Sequence, residues 1–488
     1  SHLAGEDGFR FRHLLIRDAA YDALPKAVRA ELHERFAAWL EEHGAELVEL
    51  DEILGYHLEQ VCRYRAELGL PSDEALAAAA RRRLTAAGRR AQFRADYSAA
   101  VSLLERAAAL VPPAEVDLAL EVDLVEALFW GGKGGEALGR ADSFAERASA
   151  AGDHVGELCG RIQAGLIRTS LDPEDATEKL AVLAEEALPV FQAAGDHLAL
   201  HAACHALGEV AFQRGQMDAS LEAYERAAAH ARQAGLLQHF LGWRSACRFY
   251  GTTPVSDVLA WLDENEPRAG RDLLLRSNRA GALAMLGRFD EARAILTEAR
   301  AEQAERGGGI MLAVTTGIES VDVELWAGDP AAAAELGEEG CRLLDELGEK
   351  GYLSTAAGRL AHVLYALDRL EEAEAWAGRS AELGASDDVI TQMLWRQVRA
   401  KVLARRGEHA EAERLASEAV AMGEETDMLD SQGNVYVDLA EVLSLAGRPK
   451  EATEALEQAL ARYERKGNRV SAQRAQTRLA ELQDAAPR

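Results

Sequence analysis

One pattern recurs along most of this chain: a helix rich in small residues, a tight turn at glycine, then a second helix that opens on a charge and an alanine. The clearest copy runs from Ala206 through Gly208, Ala211 and Gly215 to Tyr224 and Ala227; others run Ala284 to Ala292, Leu403 to Ala412 and Leu443 to Ala452. Such a pattern leaves little choice of fold, because a helical hairpin cannot bury its apolar face alone and must stack on its neighbours. Glycine at the turn adopts positive φ without a steric penalty. The alanine of the second helix sits in the helix crossing, where a larger side chain overpacks. Taking that small residue as the register mark gives Ala100, Ala137, Ala176, Ser220, a degenerate site near Asp257, Ala292, Ala333, Ala373, Ala412 and Ala452. These mark about ten hairpins, spaced by about 39 residues on average. Gly131-Gly-Lys-Gly-Gly135 and Gly251-Thr-Thr-Pro254 replace the ordinary turn in poorly marked units, and a final helix from Arg469 to Gln483 reads as a cap.

Composition agrees with an all-α chain, since Ala, Leu, Glu and Arg dominate and are strong helix formers. The balance of 54 basic against 82 acidic residues, net −28, opposes binding to nucleic acid. Five Cys without a CxxC pair argue against a disulfide framework or a zinc knuckle. No apolar run approaches the 18 residues of a membrane span, and the expectation is a cytoplasmic protein with no membrane contact.

The repeat resembles the tetratricopeptide repeat, with Gly208, Ala211, Gly215, Tyr224 and Ala227 matching in one unit and Gly88, Ala95, Tyr97, Ala100, Leu104, Ala107 and Pro112 in another. The resemblance implies a right-handed superhelical solenoid of long hairpins over residues 71–466, with the cap at 467–488.

Residues 1–70 do not follow the period. Phe9-Arg-Phe-Arg-His13 alternates like a short strand, and Leu14 to Leu24 reads as a helix stopped by Pro25. Lys26 to His43 reads as an amphipathic helix with Val28, Leu32, Phe36 and Leu40 on one face. The segments Phe9 to Glu41 and Asp51 to Gln60 resemble the junction in bacterial class III adenylate/guanylate cyclases that carry a central P-loop ATPase and a C-terminal repeat array. The resemblance implies that residues 1–70 end a winged-helix element, and that upstream ATPase and cyclase domains are partners of the array. The expected role is then a non-enzymatic regulatory or sensor module, binding a protein segment or a small-molecule effector in its concave groove. The sensor array of an ATPase-type transcriptional activator is one alternative; a metal-binding or hydrolytic helical-repeat protein is another. Gly131-Gly-Lys-Gly-Gly lacks the spacing and the Ser/Thr of a phosphate loop, so no nucleotide site, cofactor or catalytic residue is expected within this chain.

The sharpest polar cluster is Asp196-His197-Leu-Ala-Leu-His201-Ala-Ala-Cys204-His205. Histidines at i, i+4 and i+8 share a helix face, a spacing that can chelate a metal. No carboxylate completes a metal set of the HExxH kind, so the reading preferred is a polar groove. The repeat register turns His205, Glu209, Phe212 and Gln213 inward, with His201 one turn away; these five are the expected groove contacts. Their histidines predict binding that changes between about pH 5 and 8. The irregular turn at Gly251 to Pro254 is expected to widen the groove. The run Arg81 to Arg83 with Arg89 and Arg90 reads as a solvated helix face. Trp243, Phe249 and Tyr250, and likewise Trp326, Tyr365, Trp376 and Trp395, read as packing residues between helices.

Overall fold

The computed structural model describes residues 12–112, 115–236, 240–269 and 272–485, and among these every regular element is a helix. The strand expected over Phe9–His13 falls mostly outside the described residues. From Glu74 onward the helices follow one another as ten helix–turn–helix pairs and a final single helix, Arg469–Ala485. The all-helical hairpin array expected from the repeat is therefore present. In eight pairs the register residue is the fourth of its second helix, and all eight, from Ala100 to Ala452, are fully buried. Val258, one residue beyond Asp257, fills the position in the degenerate unit. Ala176 instead begins its helix, after a left-handed Asp175. Gly215, Gly287, Gly407 and Gly447 take positive φ at the turns. At Gly208 an added Cβ would lie 3.0 Å from the Tyr224 ring, so this glycine sets the helix separation in its hairpin.

The chain divides into two compact units, residues 1–92 with 96–127, and 93–95 with 128–488. In the first, Leu14–Asp22 precedes the helix pair Lys26–His43 and Leu50–Glu67. Pro25 separates the first two helices as expected, but the buried face of Lys26–His43 is Ala30, His33, Ala37 and Leu40. Val28, Leu32 and Phe36 stay 38, 47 and 42% exposed, and Leu14, Leu15 and Ile16 are exposed too. The physical reason is a polar network that turns His33 inward: Tyr21 Oη lies 2.7 Å from His33 Nε2, and His33 Nδ1 lies 2.6 Å from His57 Nδ1. The basic run is not simply solvated. Arg83 and Arg90 donate to Asp51, Arg89 donates to Asp123 at 2.6 Å, and Arg81 pairs with Asp117 at 3.5 Å.

In the second unit the hairpins stack in order, and the array also meets itself far along the sequence. Asp427 accepts the backbone N–H groups of Met217 and Asp218 at 2.7 and 2.8 Å, across more than 200 residues. Lys466, fully buried, donates to the carbonyls of Arg248, Gly251 and Thr253 at 3.0, 2.9 and 2.7 Å. The Lys350 N–H donates to Ser170 O at 2.9 Å. The turn at Gly251 to Pro254, expected to widen a groove, is instead a carbonyl nest for a lysine. Its irregular backbone leaves acceptors free that a regular helix end would use internally.

The register yields a stability prediction. Ala412 packs among Leu403, Leu415 and Val442, and Ala452 among Leu443, Leu456 and Leu479. Ala412→Leu and Ala452→Leu each lower stability by roughly 1–3 kcal/mol. Hydrogen exchange localises the loosening to residues 389–466, because stability in such arrays is close to nearest-neighbour. Uniform loosening along the chain would show the register to be wrong.

Candidate ligand cavity

The first helices of successive hairpins turn toward a common cavity in the second unit, of about 980 Å3. Its walls carry charged groups tied together across hairpins. Arg359 pairs with Asp322 on the preceding first helix. Lys401 pairs with Asp438 at 2.8 Å, and Gln397 Nε2 donates to the same carboxylate at 2.9 Å. Lys401 Nζ also lies 3.4 Å from His362 Nδ1 and 4.7 Å from the centre of the Tyr365 ring. Tyr365 Oη donates to Glu441 at 2.6 Å. Arg474 of the final helix donates to the carbonyls of Leu325 and Trp326. Burial pushes the Asp322 carboxyl up to about 6 against the pull of Arg359. Burial, with Lys401 and Arg359 nearby, holds His362 neutral, and its Nε2 has no partner.

Next to this cavity, and sharing Tyr250, Arg359 and Ile390 with it, lies a smaller one of about 90 Å3. Phe212, Trp243, Tyr250 and Tyr352 give it aromatic walls, and Glu209, Glu319 and Asp388 reach it. Glu319 ends a π-helical turn, Thr315–Glu319, which interrupts the first helix of its hairpin. Two glycines accompany this turn. A Cβ on Gly317 would stand 2.9 Å from Gly340 Cα, so the two helix backbones touch. Ser320 Oγ donates to Thr315 O, satisfying a carbonyl within the widened turn.

The five residues expected in the groove divide. Glu209, Phe212 and Gln213 line the smaller cavity, where Glu209 accepts from Gln213 at 3.1 Å and from Tyr224 Oη at 3.2 Å. His201 and His205 lie between helices. His201 Nδ1 is 3.1 Å from Ala227 O, its ring is 5.1 Å from that of Phe240, and the His205 ring is 4.8 Å from Phe240. His197 pairs with His230, with their Nδ1 atoms 3.0 Å apart. No group of three or more metal-ligating side chains occurs among the described residues. Burial pushes His201 down to about 4 and His205 to about 3, so neither titrates between pH 5 and 8. The groups moved into that window are carboxyls and, at its upper edge, Lys466, which burial pushes down to about 8. Burial raises Asp388 and Asp322 to about 6, and Glu319 and Glu349 to about 7. Of the aromatic residues read as packing, Trp243, Phe249, Tyr250, Trp326 and Tyr365 also face a cavity.

Glu349 gives a pH prediction. Its Oε2 accepts the N–H of Tyr352 at 2.7 Å, while Oε1 is buried without a partner. Its pKa in the fold lies above the unfolded value, so its stabilising effect is complete below about pH 4 and is lost as pH rises to about 7. Gln keeps the acceptor and stays neutral. Glu349→Gln therefore gains on the wild type as pH rises from 5 to 8, by roughly 2–3 kcal/mol, read from urea midpoints. A difference that does not change with pH would contradict this placement.

Residues 391–465 match the tetratricopeptide repeat family. No curated protein matches the sequence. Among solved structures the chain is similar to Cut9–Hcn1 of the APC/C (12% identity over 96% of this chain and 92% of that one, TM-score 0.47). It is also similar to a Rap protein complexed with competence and sporulation factor (12% identity, 76% and 98%, TM-score 0.45). A third is yeast Tom70 (11% identity, 95% and 100%, TM-score 0.39). Among the described residues no helix is long and apolar enough to cross a membrane.

Proposed function

We propose that residues 128–488 form a non-enzymatic sensor that takes a short protein segment or a small polar effector into the large cavity. The observation that carries this reading is the ladder of polar groups along its wall: the ion pairs Asp322–Arg359 and Lys401–Asp438, with neutral His362 against Lys401. Buried charges of this kind cost stability that an apolar wall would not. They are worth keeping where a ligand exchanges its own polar groups for theirs. The cavity volume lies at the top of the range of about 300–1,000 Å3 usual for ligand sites.

The parent in this proposal is a cytoplasmic signalling ATPase-cyclase, with the array reporting to its upstream domains. The exposed strip Val28, Leu32 and Phe36, with Leu14 to Ile16, supports that context as the face an upstream domain would cover. The sensing reading is tested by thermal shift of the purified chain against pools of short peptides and polar metabolites, followed by Asp438→Asn and Lys401→Gln. A ligand present at 100 times its Kd stabilises by about 2.7 kcal/mol. The expected result is a ligand whose shift falls at least tenfold in affinity in both variants. Binding indifferent to both would overturn the reading.

A further inference from the structure

We infer that the small aromatic-walled cavity is a subsite for a compact organic cation, an ammonium-type head group whose charge is met by Glu319. This deepens the sensor reading and rests on it, since the head group would belong to a ligand whose remainder fills the large cavity.

The chemistry starts from Glu319. It is only 8% exposed, it lines the small cavity, and its Oε2 has no hydrogen-bond partner. A buried carboxylate oxygen with no donor is costly, so a site that keeps one has a donor to receive. The charges around it leave room for a cation. Among the described residues Arg359 is the only basic side chain on the wall, and it pairs with Asp322. Glu209 and Asp388 face the same space, the first held by Gln213 and Tyr224, the second by the Thr391 N–H. Tyr250 and Tyr352 complete the titratable groups near Glu319. Three carboxyls therefore share a cavity with one guanidinium, which pairs with Asp322, keeps its Nε unpartnered and also draws on Glu319, so negative groups outnumber the cation three to one. Their raised proton affinities agree with this crowding, because burial disfavours the bare anions until a cation arrives.

The walls point the same way. Phe212, Trp243, Tyr250 and Tyr352 enclose the space, and aromatic faces attract ammonium groups most strongly when water is excluded. Phe212 meets Trp243 edge to face at 5.5 Å, and Trp243 stacks on Tyr224 at 5.8 Å, so the wall is held rigid from behind. About 90 Å3 admits a head group, while the shared Tyr250 and Arg359 open the way to the larger cavity for whatever the head group is attached to. The π-helical turn, pinned by the Gly317–Gly340 contact, supplies the geometry. An interrupted helix re-aims the residue at its end, as such turns do at functional sites.

The test titrates the purified chain at pH 8 with n-propylammonium, tetramethylammonium, n-propanol and propionate, following Trp243 fluorescence and calorimetry. The expected result is that at least one cation binds tenfold or more tightly than propanol, and that propionate does not bind. Glu319→Gln, isosteric and neutral, lowers cation affinity at least tenfold while leaving propanol unchanged; circular dichroism checks that it folds. Phe212→Leu lowers cation affinity severalfold by a separate route. Propanol binding as well as the cations, or cation affinity unchanged in Glu319→Gln, would overturn the subsite. Loss of the subsite is distinguishable from loss of the sensor reading. A larger ligand that still depends on Asp438 and Lys401, with no cation binding, removes the subsite alone. No binding of either kind removes both.

Discussion

Lys466→Met destabilises the second unit by about 3–5 kcal/mol, measured by urea unfolding. The ammonium is fully buried and reaches three backbone carbonyls, those of Arg248, Gly251 and Thr253. Methionine fills nearly the same volume, so packing is conserved and what is lost is charge-assisted hydrogen bonding, worth about 1.5–3 kcal/mol for a bond to a charged group. The carbonyls left behind sit at the last turn of the helix Leu241–Tyr250 (Arg248) and in the irregular turn that follows it (Gly251 and Thr253). Hydrogen exchange should rise around residues 248–255 and 429–468 and stay unchanged over 26–108. A loss under 1 kcal/mol would mean that the nest contributes nothing to holding the array on itself.

The second large effect is expected at the π-helical turn. Gly340→Ala costs about 3 kcal/mol, because its methyl group would strike the Gly317 backbone and the helices cannot part without moving Glu319. Gly378 is the control. It lies in the helix Leu370–Leu383 with open space where a Cβ would stand, so Gly378→Ala gains about 0.5–1 kcal/mol from helix propensity. Equal effects of the two substitutions would show that the close approach is not what Gly340 provides.

Much of this architecture was legible in the residues. The small-residue marks from Ala100 to Ala452 located ten hairpins, because an alanine in a helix crossing leaves a periodic trace. The inward positions of Glu209, Phe212 and Gln213 followed from the same register. His201 and His205 fell elsewhere because a helix in such a stack buries more than one face. A histidine one turn from the groove can instead pack on Phe240 and Ala227. The Lys26–His43 stripe misled in the opposite way: of its expected apolar face only Leu40 is buried, with Ala30, His33 and Ala37, while Val28, Leu32 and Phe36 are exposed.

Two features were missed for different reasons. The polar ladder had a signal, since Asp322–Arg359, His362–Lys401 and Gln397–Asp438 are separated by 37, 39 and 41 residues, close to the repeat period itself. Projecting the charged residues of the first helices onto the register would have found them. The contacts of Lys466 and Asp427 had none, because each joins residues more than 200 apart and depends on how much every intervening hairpin turns. No periodic reading carries that sum.

The array closes on itself around a polar cavity. Exchange at the backbone amides of Met217 and Asp218 tests this closure most directly, because those two N–H groups begin a helix and have Asp427 as their acceptor. Closure predicts that both are protected in the wild type and that Asp427→Ala speeds their exchange at least tenfold, with the neighbouring hairpin, residues 154–194, unchanged. Equal rates in the wild type and Asp427→Ala would mean that the array stands open in solution.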